Sequence, residues 1–190
     1  MTVYSPSKIP AQYGFTLLEL LIACSVAVIS LSIAVPSFAS IVQSSRVKST
    51  THALNNSLIV ARNHALSNRT RVIVCHASSP EQTSCSNQRN RNTDWSNGVI
   101  SFADRNANNE LDTDDEIINR MTPSQDVAVV FNQNGRLRFF NDGSARSAGF
   151  YICHKTTQQQ RHIRILHTGR TRTMETMSEQ QSQTCLDNAA

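Results

Sequence analysis

The sequence lacks the short motifs that mark common hydrolase and nucleotide-binding sites. Its 190 residues contain no Gly-x-Ser-x-Gly, no His-Glu-x-x-His and no glycine-rich phosphate loop. Six histidines and five cysteines are present. A Cys–His hydrolase, however, needs a free thiol, and we expect the four cysteines outside the apolar N-terminal run to be paired. We therefore predict a protein that is not an enzyme and that holds no cofactor.

The sequence also lacks cysteine pairs at the spacing that is typical of metal ligands. No Cys-x-x-Cys pair occurs, so we do not expect a metal site built on cysteine. The acidic segment 104–116 matches an EF-hand loop at its first, third and fifth places, but Asn109 stands where that loop needs glycine, and Asp115 stands where it needs glutamate. We predict a solvated loop whose Asp and Asn side chains cap turns, with calcium binding as the alternative.

Charge is nearly absent from an apolar run over residues 15–42. Between Lys8 and Arg46 the only formal charge is Glu19. The run exceeds the roughly 20 residues that a helix needs to cross a bilayer. The segment 1–14 lacks the apolar core and small-residue exit of an ordinary signal peptide. A carboxylate within lipid is costly when unpaired, so we expect Glu19 to have a partner.

This N-terminal pattern resembles that of the type IV pilins and the type II secretion pseudopilins. The matching positions are Gly14, Phe15, Thr16, Leu17 and Glu19. The resemblance implies a leader of residues 1–14 that a prepilin peptidase removes after Gly14. It also implies a precursor that spans the inner membrane once, with its head in the periplasm, and later joins a pilus.

The same resemblance implies a contact with other pilins through the N-terminal helix. Phe15 would carry the new, N-methylated amino terminus, which would pair with Glu19 of a neighbouring subunit. Such a pair is strong in lipid because the alternative is an uncompensated charge.

A second helical pattern follows the apolar run. Segment 43–68 contains no Pro or Gly, and its apolar residues recur at three- and four-residue steps: Val47, Leu54, Leu58, Ala61, Ala65 and Leu66. We predict an amphipathic helix that continues the membrane helix.

Residues 70–190 are predicted to form a globular, β-rich head. Seven short segments with turn signals between them indicate strands: Val72–Cys75, Val99–Phe102, Glu116–Met121, Val127–Phe131, Leu137–Phe140, Phe150–Ile152 and His162–Leu166. Asn134-Gly135 predicts a hairpin between two of them, and Asp142-Gly143 predicts another turn. The fold class is therefore α+β, with one long helix on an antiparallel two-sheet head, as in the type IV pilin fold.

Four cysteines fall in this head and allow three connectivities. We favour Cys75–Cys85, which closes a short polar loop. The second disulfide is then Cys153–Cys185, which ties the polar C-terminal segment to a strand.

Acidic residues are nearly missing between Phe131 and Arg172. This stretch has eight Lys and Arg residues against one acid, Asp142, so its net charge is +7. Such asymmetry is typical of a surface that binds a polyanion. Arg164 is predicted to point outward, while Arg170 and Arg172 share a face beyond Gly169, and the sequence leaves open whether the two faces coincide. We expect Gly169 to let the backbone bend and approach a ligand closely.

Motifs in the middle and near the end of the chain narrow the resemblance to one group of minor pilins. Trp95-x-x-Gly98 and the run from Phe102 to Asn106 resemble the GspH/FimT group of minor pilins. Gly169-Arg170-Thr171-Arg172 matches a Gly-Arg-x-Arg motif through which FimT-like minor pilins are associated with DNA capture in natural transformation.

The resemblance thus implies a minor pilin that binds DNA through its phosphates, without reading sequence. Aromatic residues for stacking are sparse here, so we expect duplex DNA to be accepted. The residues assigned to this site are Gly169, Arg170 and Arg172, with Lys155, Arg161 and Arg164 widening the patch. The alternative is a structural or priming minor pilin, or a secretion pseudopilin, that does not bind DNA.

Overall fold

The structure is a computed structural model that describes residues 15–77, 84–88 and 90–188, without the side chains of residues 35–37. The predicted leader and Gly14 lie outside the described residues. The chain forms two compact units, one ending at Ser40 and the other beginning at Ile41. Helix α1, Leu17–Asn68, contributes to both.

The first unit consists of the start of α1. Thr16 caps this helix, because its Oγ1 accepts a hydrogen bond from the backbone N–H of Glu19 at 3.2 Å. The described apolar side chains of this part are exposed. By length and composition, α1 could cross a membrane.

The second unit contains the rest of α1 and the head. Five of the six apolar residues predicted to face the core are fully or almost fully buried: Val47, Leu54, Leu58, Ala61 and Ala65. The sixth, Leu66, is 39% exposed and lies over Gly143, where a Cβ atom would stand only 2.7 Å from its side chain.

Over the described residues, nine strands and a second helix follow α1. They are β1 Arg71–His76, β2 Thr93–Asp94, β3 Val99–Asp104, β4 Glu116–Met121, β5 Val127–Phe131, β6 Leu137–Phe139, β7 Ala148–His154, β8 Gln160–Ile165, β9 Thr171–Met174 and α2 Glu179–Asp187. They form a four-stranded sheet in the order β4-β3-β1-β6 and a five-stranded sheet in the order β2-β5-β7-β8-β9. All strand pairs are antiparallel, so the α+β prediction is confirmed.

The inner faces of both sheets share one core with α1. Trp95 is fully buried there, and its ring centroid lies 4.8 Å from that of Phe131 and 5.1 Å from that of Phe150. This aromatic cluster fixes the start of β7 relative to the end of β5, and both strands lead into the region described below.

One strand connection was predicted wrongly. The chain bends at Asn134-Gly135, with Gly135 at φ +74°, but this bend does not join a hairpin. The preceding strand β5 belongs to the five-stranded sheet, whereas β6 pairs with β1 in the other sheet. A turn signal fixes where the chain reverses but not which strand edge receives the next segment. Asp142-Gly143 is a turn as predicted, with the Gly143 N–H donating to the Phe140 carbonyl.

Both disulfides form as expected, Cys75–Cys85 and Cys153–Cys185. The second one holds α2 against the outer face of the five-stranded sheet, which is the face turned away from α1. There Cys185 packs among Ala128, Val130 and Tyr151. The sequence pattern predicts no helix in this segment, but α2 is present and begins with a capping box at Ser178.

Candidate nucleic-acid interface

Strands β8 and β9 place two arginines directly opposite each other. In their antiparallel register Arg164 pairs with Arg172, and His162 pairs with Met174. Alternate residues of a strand share a face. On β8, Ile163 and Ile165 are fully buried in the core, so Arg164 and Arg172 lie together on the outer face.

Arg170 joins this pair. It directly precedes β9, and its carbonyl accepts a hydrogen bond from the Leu166 N–H at 2.9 Å, which continues the pairing of the two strands. Because Arg170 and Arg172 are two residues apart, they share a face. We call Arg164, Arg170 and Arg172 the arginine face.

All three side chains of the arginine face are exposed. Within the described part of the chain, no acidic side chain forms an ion pair with any of them. Like charges placed directly opposite each other on neighbouring strands are destabilising. The opposed pair therefore adds no stability to the fold, and all three side chains are accessible to an external anion.

Gly169 has a different role from the one expected. It does bend the chain, with φ +71°, but it is buried. A Cβ atom at this position would lie 1.9 Å from the Gly143 carbonyl oxygen, so the close approach is to the chain's own backbone and not to a ligand. Arg62 of α1 donates from Nε to the carbonyls of Gly143 and Thr168, at 3.1 and 3.3 Å. Gly169 therefore anchors the turn that presents the arginines.

The structure separates the other two predicted cations from the arginine face. Arg161 lies three residues before Arg164 on β8, and residues an odd number apart on a strand point to opposite faces. The side chain of Arg161 is therefore on the inner face of the sheet. It forms a 2.9 Å ion pair with Glu175, and its side chain is only 17% exposed. Its hydrogen bond and charge lower the pKa of Glu175. Lys155 is exposed, but it follows β7 at the opposite end of β8, where its N–H donates to the Asp126 carbonyl.

A shallow depression of about 310 Å³ adjoins the arginine face. Arg164, His162 and Met174 line one part of it, and Gln133 and Ala148 line another. His162 is only 7% exposed, and its Nε2 has no hydrogen-bond partner. Burial lowers the pKa of His162, and the charge of Arg164 lowers it further. The lowered pKa favours the neutral imidazole at pH 7, so His162 adds little charge to the surface.

Two further arginines near this depression were counted in the sequence analysis but were not assigned to the site. Arg138 is the exposed central residue of β6, and Arg146 is exposed just before β7. Their charge was visible in the sequence. Their position was not, because the predicted hairpin put β6 in the wrong sheet.

Acidic side chains of segment 104–116 form ion pairs and hydrogen bonds with other residues of the same chain. Asp104 is buried and forms a 2.7 Å ion pair with Arg71. Asp112 accepts hydrogen bonds from the side chains of Asn106 and Asn108, which, with the Asp114 N–H, lower its pKa. Among the described residues, no group of three or more His, Cys, Asp or Glu side chains is placed to hold a metal ion.

The residues predicted to act in assembly lie at the start of α1. Phe15 is 85% exposed, and Glu19 occupies the first turn with an exposed side chain. Their predicted contact is between subunits, so it lies outside a single chain.

Comparison with known proteins agrees with this architecture. The family described as type II transport protein GspH matches residues 50–169. The prokaryotic N-terminal methylation motif matches residues 9–35. A search of curated proteins found no match.

Two solved proteins share the fold. The type IV minor pilin FimU of Pseudomonas aeruginosa is 17% identical, with TM-scores of 0.51 and 0.52 in two crystal forms. The alignments cover 67% of this chain and 91% and 87% of the FimU chains. The minor pseudopilin EpsH from the type 2 secretion system of Vibrio cholerae is 12% identical, with a TM-score of 0.50. That alignment covers 68% of this chain and 97% of EpsH. At these identities the likeness shows the fold alone.

Proposed function

Because the chain belongs to the GspH family of type II transport proteins, we propose that it is a minor pilin of a type IV pilus that binds DNA non-specifically for uptake in natural transformation. The precursor is anchored in the inner membrane by α1, is processed before Phe15, and joins other pilins through α1. The arginine face on the head contacts the phosphates of DNA.

One observation supports this proposal above the others: Arg164 lies opposite Arg172 with Arg170 on the same face, and no acid among the described residues forms an ion pair with them. Directly opposed residues have Cβ atoms about 4.5–5.5 Å apart, and residues two apart on a strand are separated by about 6.5–7 Å. Three arginines attached to the backbone at these spacings form a compact cationic surface. Guanidinium forks bind phosphate oxygens in pairs.

The surface suits binding without sequence readout. The three arginines of this face lie on or directly next to β-strands, and none of them is on a helix that could enter a major groove. Phosphate contacts fix the position of a protein on DNA but carry no base information. We therefore expect similar affinity for duplexes of unrelated sequence and a strong dependence on salt.

The test is a titration of the full chain, in neutral detergent, with labelled duplex DNA at several salt concentrations. The slope of log affinity against log salt is expected to be about −0.9 for each phosphate neutralised. Arg170→Ala combined with Arg172→Ala should lower the affinity and reduce the slope by about 1.8 if each arginine contacts one phosphate.

The matched control removes two positive charges elsewhere. Lys48 is exposed on α1, and Arg120 is exposed on the edge strand β4 of the other sheet. Lys48→Ala with Arg120→Ala should change neither the affinity nor the slope by a comparable amount. An arginine-face double variant that binds like the wild type would refute the site.

A second candidate function is that of a secretion pseudopilin without DNA binding, which the description of the matching family favours. In that case the arginine face would contact acidic side chains of a neighbouring subunit. The same titration separates the two candidates, because a pseudopilin of this kind would not bind duplex DNA even at low salt.

A further inference from the structure

A second depression, of about 270 Å³, lies next to the first. Gln133 and Ala148 line both depressions, so the two are neighbours. The second one also carries three arginines and one aromatic ring: Arg136, Arg138, Arg146 and Phe140. We call it the Phe140 depression.

Two of the arginines that line this depression have no acidic partner in the described part of the chain. Arg138 and Arg146 are exposed, and in the described part of the chain neither forms an ion pair. Arg136 donates to the Asn109 carbonyl, which fixes its side chain at the rim. Among the described residues that line the depression, none is acidic. The Phe140 depression therefore carries positive charge of its own.

The ring of Phe140 is presented to solvent on a fixed turn. It is 44% exposed, and it is the only exposed phenylalanine among the described residues beyond Ser40. The Phe140 N–H donates to the Ser144 carbonyl, and its own carbonyl accepts from the Gly143 N–H. An exposed ring among arginines is the arrangement with which proteins bind unpaired nucleotides, because a base stacks on the ring while cations hold the backbone.

We propose that the Phe140 depression binds an unpaired nucleotide at the end of a DNA duplex. The base stacks on Phe140, and Arg138 and Arg146 bind the adjoining phosphates, while the arginine face holds the paired part. This inference rests on the proposed DNA binding and adds a preference for DNA with a single-stranded end. Bases in the paired part are already stacked, so only an unpaired base can use the ring.

The experiment compares a blunt duplex with the same duplex carrying a short single-stranded thymine overhang, both titrated against the full chain in neutral detergent. One stacked base should raise the affinity of the wild type about fivefold or more. Phe140→Ala should abolish this gain and leave the affinity for the blunt duplex unchanged. Phe140→Tyr keeps an aromatic ring and should retain the gain.

A spectroscopic measurement reports the stacking itself. With 2-aminopurine in the overhang, the fluorescence change on binding should be present with the wild type and Phe140→Tyr and absent with Phe140→Leu, which keeps an apolar side chain. Arg138→Ala with Arg146→Ala should reduce the gain from the overhang and the salt slope of the overhang complex. The Lys48→Ala, Arg120→Ala variant should reduce neither.

The outcomes separate this inference from the function on which it rests. If the wild type binds the blunt duplex but gains nothing from an overhang, or if Phe140→Leu keeps the full gain, the inference is refuted and the proposed function stands. If the wild type binds neither DNA at low salt, the proposed function fails and the inference fails with it.

Discussion

Arg164 on β8 lies directly opposite Arg172 on β9, with both side chains on the outer face of the five-stranded sheet. The sequence left open whether these residues share a face, because the answer depends on the turn between the strands. That turn is held by Gly169, whose neighbour is the Gly143 carbonyl. The arginine face is therefore a product of how the β8–β9 turn packs on the loop before β7.

Gly169→Ala should destabilise the head. The left-handed φ of +71° costs a non-glycine residue about 1–2 kcal/mol, and the added Cβ would displace the Gly143 carbonyl. We expect the free energy of unfolding in denaturant to fall by at least that amount, with DNA affinity falling as well. Thr168→Ala changes an exposed side chain of the same turn and should have little effect. A Gly169→Ala variant as stable as the wild type would contradict this packing role.

The two disulfides should contribute unequally to stability. They close sequence separations of 10 and 32 residues, and loop-closure entropy gives the longer one an advantage of about 1 kcal/mol. Replacing Cys153 and Cys185 by alanine should therefore cost more than replacing Cys75 and Cys85. Thermal unfolding of both double variants tests the order. The opposite order would show that α2 adds little to the fold.

His162 should make the head less stable in mild acid. Burial, aided by Arg164, places its pKa below the ordinary value of 6.5. At mildly acidic pH the unfolded chain therefore binds more protons at this histidine than the folded chain does. The free energy of unfolding should fall as the pH drops below about 6.5. His76, whose pKa burial also lowers, acts in the same direction.

An NMR titration of the His162 ring gives its pKa directly, and His162→Phe should make the stability profile shallower below about pH 6.5. If the ring titrates at or above 6.5, the expected acid sensitivity has another source.

Glu19→Ala should leave membrane insertion intact and weaken incorporation into the fibre. The carboxylate is predicted to pair with the amino terminus of a neighbouring subunit, and removing it leaves that cation unpaired in lipid. Glu19→Gln is the informative companion, because it keeps the size of the side chain and removes only the charge. The measurement is the amount of each variant in the membrane and in sheared fibres. Wild-type incorporation of both variants would show that Glu19 is not an assembly residue.

Helices and strands whose apolar residues recur at regular spacing could be predicted from the sequence. The steps from Val47 to Ala65 identified the buried face of α1, and Ile163 with Ile165 identified the inner face of β8. Strand β9 was missed because three of its four residues are polar or charged and three of the four are exposed, so it has no apolar alternation. Helix α2 was missed because a single buried residue, Cys185, attaches it to the sheet.

The site could be predicted only in part, because it depends on pairing. The arginine motif and the excess of basic residues are visible in the sequence. Which arginines meet depends on the β8–β9 register, on the ion pair that engages Arg161, and on the crossover that takes β6 to the other sheet. These are long-range contacts, and local sequence patterns do not encode them.

Arg172→Glu tests the central claim most directly, because it separates binding from stability in one variant. An acid opposite Arg164 replaces a repulsive pair by an attractive one, which is worth about 0.2–1 kcal/mol across strands. The melting temperature should therefore stay the same or rise slightly, while the affinity for duplex DNA at low salt should be lost. If Arg172→Glu binds duplex DNA as tightly as the wild type, the arginine face is not the DNA site.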